Sequence, residues 1–193
     1  MARPRSEDKP RALLDAATQA IAGQGLGAST ASIAKLAGVA EGTLFHYFTS
    51  KDLLLQALFV HLLDTLREAL AAGHGPQDPP ELRTRRTWDN YIDWGLAHPA
   101  AHSAINQLAA SGKLPTELLE AASRLGAEVG CPPVRLEFDD MNETEADCYA
   151  EWVMNAIANA TVSFAAANPA LAAASKRAGY RFLARAIHCK DPA

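Results

Sequence analysis

Cysteine is nearly absent: the chain of 193 residues holds three, Cys131, Cys148 and Cys189, and no two are spaced as Cys-x-x-Cys. That scarcity excludes a disulfide framework and a structural zinc centre of the usual spacing, and it suits a reducing compartment, so the cytoplasm is the expected location. Long apolar runs are missing too. Met1-Ala2-Arg3-Pro4-Arg5 is basic but continues into Ser6-Glu7-Asp8-Lys9-Pro10, and no uncharged apolar window of about 18 residues follows, so neither a signal peptide nor a membrane span is expected. Strand patterning is limited to Val134-Arg135-Leu136-Glu137-Phe138, and a single run cannot make a sheet alone. It reads as an extended loop.

What is present is helical periodicity. Apolar residues make up 49% of the chain, enough for one core or for one core plus a small module beside it. After Pro10, Leu13, Leu14, Ala17, Ala20 and Ile21 recur at three- and four-residue spacing until Gly23-Gln24-Gly25 ends the helix. Ser29 or Thr30 caps a short second helix carrying Ile33, Ala34, Leu36 and Ala37, which Gly38 stops, and Val39 follows as a buried plug. A third helix runs from Glu41 to Phe48. Ser50 caps a fourth that extends to about residue 71 through Leu53, Leu54, Ala57, Leu58, Leu62, Leu66 and Leu70.

The breaker Gly73-His74-Gly75-Pro76-Gln77-Asp78-Pro79-Pro80 separates this head from a body with helical patterns at about 81–97, 99–111, 115–129, 143–167 and 169–188. The expectation is an all-α fold of about nine helices. Residues 1–52 form a three-helix helix-turn-helix DNA-binding domain, helix 4 (about 51–71) connects, and residues 72–193 form a ligand-binding and dimerisation domain. Charge divides along the same line. Residues 1–51 carry six Lys/Arg against four Asp/Glu, whereas 52–193 carry twelve against eighteen, which turns an overall charge of −4 into a mildly basic head on an acidic body. At such small counts an uneven split by chance remains an alternative.

Two short helices joined by a glycine turn, the first capped by Ser or Thr, are the ingredients of a helix-turn-helix. The run from Ser29 to Leu54, STASIAKLAGVAEGTLFHYFTSKDLL, resembles the signature of the tetracycline-repressor (TetR) family in its caps, turn glycine, recognition-helix aromatics and Ser-Lys-Asp entry to helix 4. Counting helix 1, the resemblance covers about 45 residues. Read physically, Ile33, Leu36, Val39, Leu44 and Phe48 point inward, against Leu13, Leu14, Ala17 and Ile21. That leaves Glu41, Gly42, Thr43, Phe45, His46 and Tyr47 on the outer and N-terminal faces of helix 3, the part that would enter a major groove about 12 Å wide.

Candidate DNA contacts are Ser29, Thr30, Ala31, Ala40, Glu41, Gly42, Thr43, Phe45, His46, Tyr47 and Lys51. Tyr47 and Lys51 suit phosphate oxygens, and the resemblance implies the same roles for them; solvation of the start of helix 4 is the plainer reading of Lys51. Phe45 stands where the family usually has tyrosine, and Ala31 where many relatives carry a long polar side chain. Glu41 either accepts from a cytosine amino group or simply favours the positive end of its helix. Arg3 and Arg5 lie in an arm of the kind that reaches a minor groove.

The resemblance further implies a homodimer through the last two helices and a cavity for a small-molecule effector in the middle of the body. Ala156, Ala160, Ala172, Ala178 and Gly179 would allow close approach, with apolar area from Trp152, Val153, Ile157, Phe164, Leu171, Phe182, Leu183 and Ile187. Completing the monomer's own core is the alternative use of these helices. For the effector, Trp88, Tyr91, Trp94, His102, Ile105, Asn106, Trp152 and Asn155 are the candidate lining, although an aromatic stripe at this spacing also describes plain core.

His98 and His102 are four apart but lack a third ligand, and the carboxylates Asp139, Asp140, Glu143, Glu145 and Asp147 sit where a helix start favours them, so no metal site is expected. No nucleophile, base and orienting group occur together, so neither catalytic residues nor a cofactor is expected. The reading is a DNA-binding regulator, a repressor released from double-stranded palindromic operator DNA by an unidentified small molecule, with no membrane partner. Its rivals are a small helical ligand-binding protein or enzyme using the aromatic and His cluster, and a regulator controlled by a protein partner.

Overall fold

A computed structural model describes residues 8–75, 77–130 and 140–188. The described residues form ten α-helices and two single-turn 3-10 segments, with no strand among them. Arg3, Arg5, Cys131, Cys189 and the 134–138 run lie outside the described residues. Two compact units divide the chain: one takes Met1–Leu66 with His98–Ala122, the other Arg67–Ala97 with Ser123–Ala193.

The first unit holds α1 (Asp8–Gln24), α2 (Thr30–Leu36), α3 (Glu41–Tyr47), most of α4 (Lys51–Ala71), α6 (Pro99–Ala109) and most of α7 (Thr116–Ser123). On α1, Leu13, Ala17, Ala20 and Ile21 fall on one stripe and are all buried, and the helix packs against α6 and α2. From α6, the Gln107 amide donates to the Ile21 carbonyl at 3.2 Å. Leu54, Leu55, Leu58 and Phe59 of α4 are also buried. Of the ten largest side chains exposed by less than 2%, nine belong to this unit and only Ile92 to the other.

In the second unit, α5 (Pro80–Ala97) packs against α9 (Glu143–Ala167) and α10 (Ala172–His188), with the single turn α8 (Leu125–Glu128) beside them in sequence. The expected helix over 115–129 is therefore two, α7 and α8, parted at Arg124. The core is Trp88, Ile92, Ala158, Val162 and Leu183. Trp88 donates its indole N–H to the Lys176 carbonyl at 2.9 Å. Gly179 makes this approach possible, because a Cβ there would stand 2.6 Å from both Trp88 Cζ2 and Thr161 Oγ1. Of the two uses the sequence leaves open for Gly179, contact with a second copy or the monomer's own core, this approach fits the second.

The breaker before α5 is tied down locally. Asp78 accepts from the Gly75 amide at 2.6 Å and pairs with Arg86, while Arg83 donates to the Asp78 carbonyl at 3.0 Å. Asn142 and Glu145 close a reciprocal capping box at the start of α9, each bond 3.0 Å, so Glu145 of the acidic run serves the helix start.

The other side of α9 and α10 is uncovered. Tyr149, Trp152 and Phe164 of α9 and Phe182 of α10 are exposed, Trp152 by 77% and Phe182 by 73%, and Leu171 between the helices is exposed too. Charges on the two helices are sorted by sign. From Glu143 to Ala167 the chain has Glu143, Glu145, Asp147 and Glu151 but no Lys or Arg, whereas from Ala172 to His188 it has Lys176, Arg177, Arg181 and Arg185 but no acid. A groove of about 270 Å³ opens on α10, lined by Ala178, Arg181, Phe182 and Arg185.

Candidate nucleic-acid interface

Helices α2 and α3 have seven residues each, too short to persist alone, so caps and core must hold them. Ser29, not Thr30, is the cap of α2: its hydroxyl accepts from the Ser32 amide at 3.1 Å. At the other end, Val39 N–H donates to the Ala34 carbonyl (3.0 Å) and Gly38 N–H to the Lys35 carbonyl (3.1 Å), the paired bonds of a Schellman stop. That stop puts Gly38 at φ +68°, a conformation that penalises any residue with a Cβ. Ile33 and Ala34 of α2 and Leu44 of α3 are buried and pin both helices to the unit.

One expected inward residue faces outward and two are only half-buried. Leu36 is 58% exposed, because at about 100° per residue Ile33, Ala34 and Ala37 define the inward arc and Leu36 falls outside it. Val39 and Phe48 are half-buried, one closing the turn and the other capping α3 at its C-terminal end.

What α2 and α3 leave outside is a compact face. Glu41, Gly42, Phe45 and His46 are exposed, Thr43 and Tyr47 half-buried, and Ser29, Ala31 and Ala40 exposed beside them. The Phe45 ring is 43% exposed, and His46 and Tyr47 meet edge to face with ring centroids 5.2 Å apart. Thr30 donates its hydroxyl to Glu41 Oε1 at 2.6 Å, joining the starts of the two helices. Lys51 has a structural partner that its phosphate role did not foresee: its ammonium donates to the Leu26 carbonyl at 2.7 Å, bracing the Gly25–Gly27 turn after α1. A lysine twenty-five residues from a turn gives no sequence signal of such a bond. Ser50 caps α4 through the Leu53 amide at 3.1 Å.

Comparison with known proteins falls on this same segment. Residues 13–58 match the family model of bacterial regulatory proteins, tetR family. The match covers the N-terminal module, from within α1 to within α4. The HTH-type transcriptional regulator BetI of Pseudomonas aeruginosa PAO1 is 46% identical over 59 residues, which are 30% of this chain and 30% of that one. BetI of Ectopseudomonas mendocina is 38% identical over 76 residues, 38% of this chain and 39% of the relative. The matched segment thus spans well under half the length of these curated relatives.

Beyond the matched segment the likeness is one of fold. A TetR-like transcriptional regulator from Rhodococcus sp. RHA1 superposes with a TM-score of 0.68 at 18% identity, covering 98% of this chain and all of that one. LfrR from Mycobacterium smegmatis, solved in complex with proflavine, gives 0.65 at 22% identity over 95% and 99% of the two chains.

The structure distributes the expected effector residues between the two units. His102, Ile105 and Asn106 belong to the first, where His102 and Ile105 are buried and the Asn106 amide lies 3.3 Å from His102 Nε2. His98 is exposed while His102 is buried, and among the described residues no three His, Cys, Asp or Glu side chains group to hold a metal. In the second unit Trp88 and Trp94 are buried, and half-buried Tyr91 donates its hydroxyl to Asn159 Oδ1 at 2.8 Å. Trp152 and Asn155 do not join them. On α9 the buried stripe is Ala146, Ala150, Ala158, Thr161, Val162 and Ala165, and these two residues lie on its exposed side.

Proposed function

We propose that this protein is a transcriptional regulator that binds a palindromic double-stranded operator as a homodimer, presenting α3 to the major groove. The observation that carries this reading is the exposed Glu41-Gly42-Phe45-His46 face on a seven-residue helix anchored by Leu44 behind it. An aromatic ring and an imidazole held out on a short helix that buried Leu44 anchors suit base edges and phosphates, and no packing need explains them. Tyr47 and Thr43, half-buried at the rim, suit phosphate contact, and Lys51 braces the module with one of its three ammonium donors, which leaves two for a phosphate.

One such module binds weakly, and two spaced by a turn of DNA, about 34–36 Å, bind well. The uncovered α9–α10 face supports dimerisation through the last two helices, because apolar area of this kind marks an interaction surface. Repression, release by a small molecule, a cytoplasmic location and the absence of catalysis complete the proposal. The complex of LfrR with proflavine supports a sensing role for the body, and α4, whose residues are shared between the two units, is the element through which an effector would bias DNA affinity.

The test is selection of bound DNA from a random pool by the purified chain. A palindromic site, bound at least tenfold more weakly by Phe45→Ala and His46→Ala at unchanged thermal stability, is the expected result. No enriched site at low salt would overturn it. Operator affinity that stays constant across a panel of dyes and metabolites would remove the sensing role and favour control by a protein partner.

A further inference from the structure

The bond between Thr30 and Glu41 joins the first residues of two helices eleven positions apart, at 2.6 Å and in the open. An acceptor held this short by a hydroxyl is a charge-assisted bond, and it fixes a side chain that would otherwise sample several rotamers. Glu41 is exposed, as are its small neighbours Ala40 and Gly42 in the chain and Ala31 next to Thr30. No cation pairs with Glu41 among the described residues. An unneutralised carboxylate on a face meant for a polyanion weakens binding to every sequence alike, and only a donor on a base edge can offset that.

From this we infer that Glu41, oriented by Thr30, is a specificity-determining residue that selects cytosine at one position of each operator half-site. The inference rests on the operator-binding reading above and deepens it. With Oε1 held by Thr30, Oε2 is left to accept one donor. Guanine and thymine offer acceptors, O6 and N7 or O4, and are repelled. Adenine has a donor at N6 but places the N7 lone pairs beside it, whereas the N4 donor of cytosine stands next to a C–H. Thr30 acts on the base through Glu41 and is a positioning residue.

Selection from a random pool with the full-length wild type, Glu41→Gln, Glu41→Ala and Thr30→Val tests this. The wild type should show one position per half-site enriched about tenfold in cytosine. Glu41→Gln, which with its amide oxygen on Thr30 turns a donor to the base in place of an acceptor, should abolish the cytosine enrichment at that position. Glu41→Ala should flatten it while binding all sequences more tightly, and Thr30→Val should keep the position but reduce the enrichment several-fold. An identical base preference at every position in all four proteins, with Glu41→Ala merely tighter, would overturn the inference and leave the operator reading intact. No enriched site for the wild type would overturn both.

Discussion

The two units solve the burial problem differently. In the first, Leu13, Ile21, Ile33, Leu44, Leu54, Leu55, Leu58, Phe59 and Leu108 are all but sealed from water within one chain, so its outer face is free to be polar or aromatic for other reasons. In the second, the fully sealed large side chain is Ile92, while Trp152, Phe164, Leu171 and Phe182 remain uncovered. A unit that completes its core can spend its surface on recognition, and a unit that does not is asking for a neighbour. Burial, more than helix content, separates the two roles.

The largest effects should come from breaking the sealed core. Leu44→Ala or Ile33→Ala, at 0% exposure, should cost about 2–5 kcal/mol in denaturant unfolding, whereas Leu36→Ala on the same module should stay within about 0.5 kcal/mol. Equal losses at Leu36 and Leu44 would erase the contrast between inward and outward positions. Next comes the uncovered face: Trp152→Glu with Phe182→Glu should raise the dimer dissociation constant by about 100-fold or more in sedimentation, with helicity unchanged. A dimer indifferent to both would place the interface elsewhere.

Gly179→Ala should follow, at about 1–3 kcal/mol, because Trp88 and Thr161 leave no room for a methyl group. The smallest effect concerns Glu151, whose carboxyl is pushed above its ordinary value of 4.5 by burial. A carboxyl raised in the folded state opposes folding once pH exceeds the unfolded value, and that penalty vanishes in acid. Glu151→Gln should therefore be the more stable protein at neutral pH and equal to wild type below about pH 4, as read by thermal melts.

Much of this was legible in the residues. Caps and stops are local chemistry, so Ser29, Gly38 and Ser50 marked helix ends to within a residue, and the expected starts at about 81, 99 and 143 fall within a residue of those of α5, α6 and α9. Position around a two-turn helix was harder. Leu36 looked inward because it lies three residues from Ile33, and only the packed arc shows that it turns out. Partners distant in sequence were not legible at all: neither the Thr30–Glu41 bond nor the indole of Trp88 on the Lys176 carbonyl leaves a pattern along the chain. The aromatic residues illustrate the same limit, since Trp88 and Trp152 share a residue type but one is core and the other is surface.

The bond from Lys51 to the Leu26 carbonyl has a consequence for divergence among relatives. Its acceptor is main chain, so the side chain at position 26 can drift without disturbing it, while position 51 must keep a flexible ammonium of the right reach. Lineages should therefore show lysine held at 51 beside a freely varying 26, with no correlated exchange between them: a tertiary contact that pairwise covariation would miss.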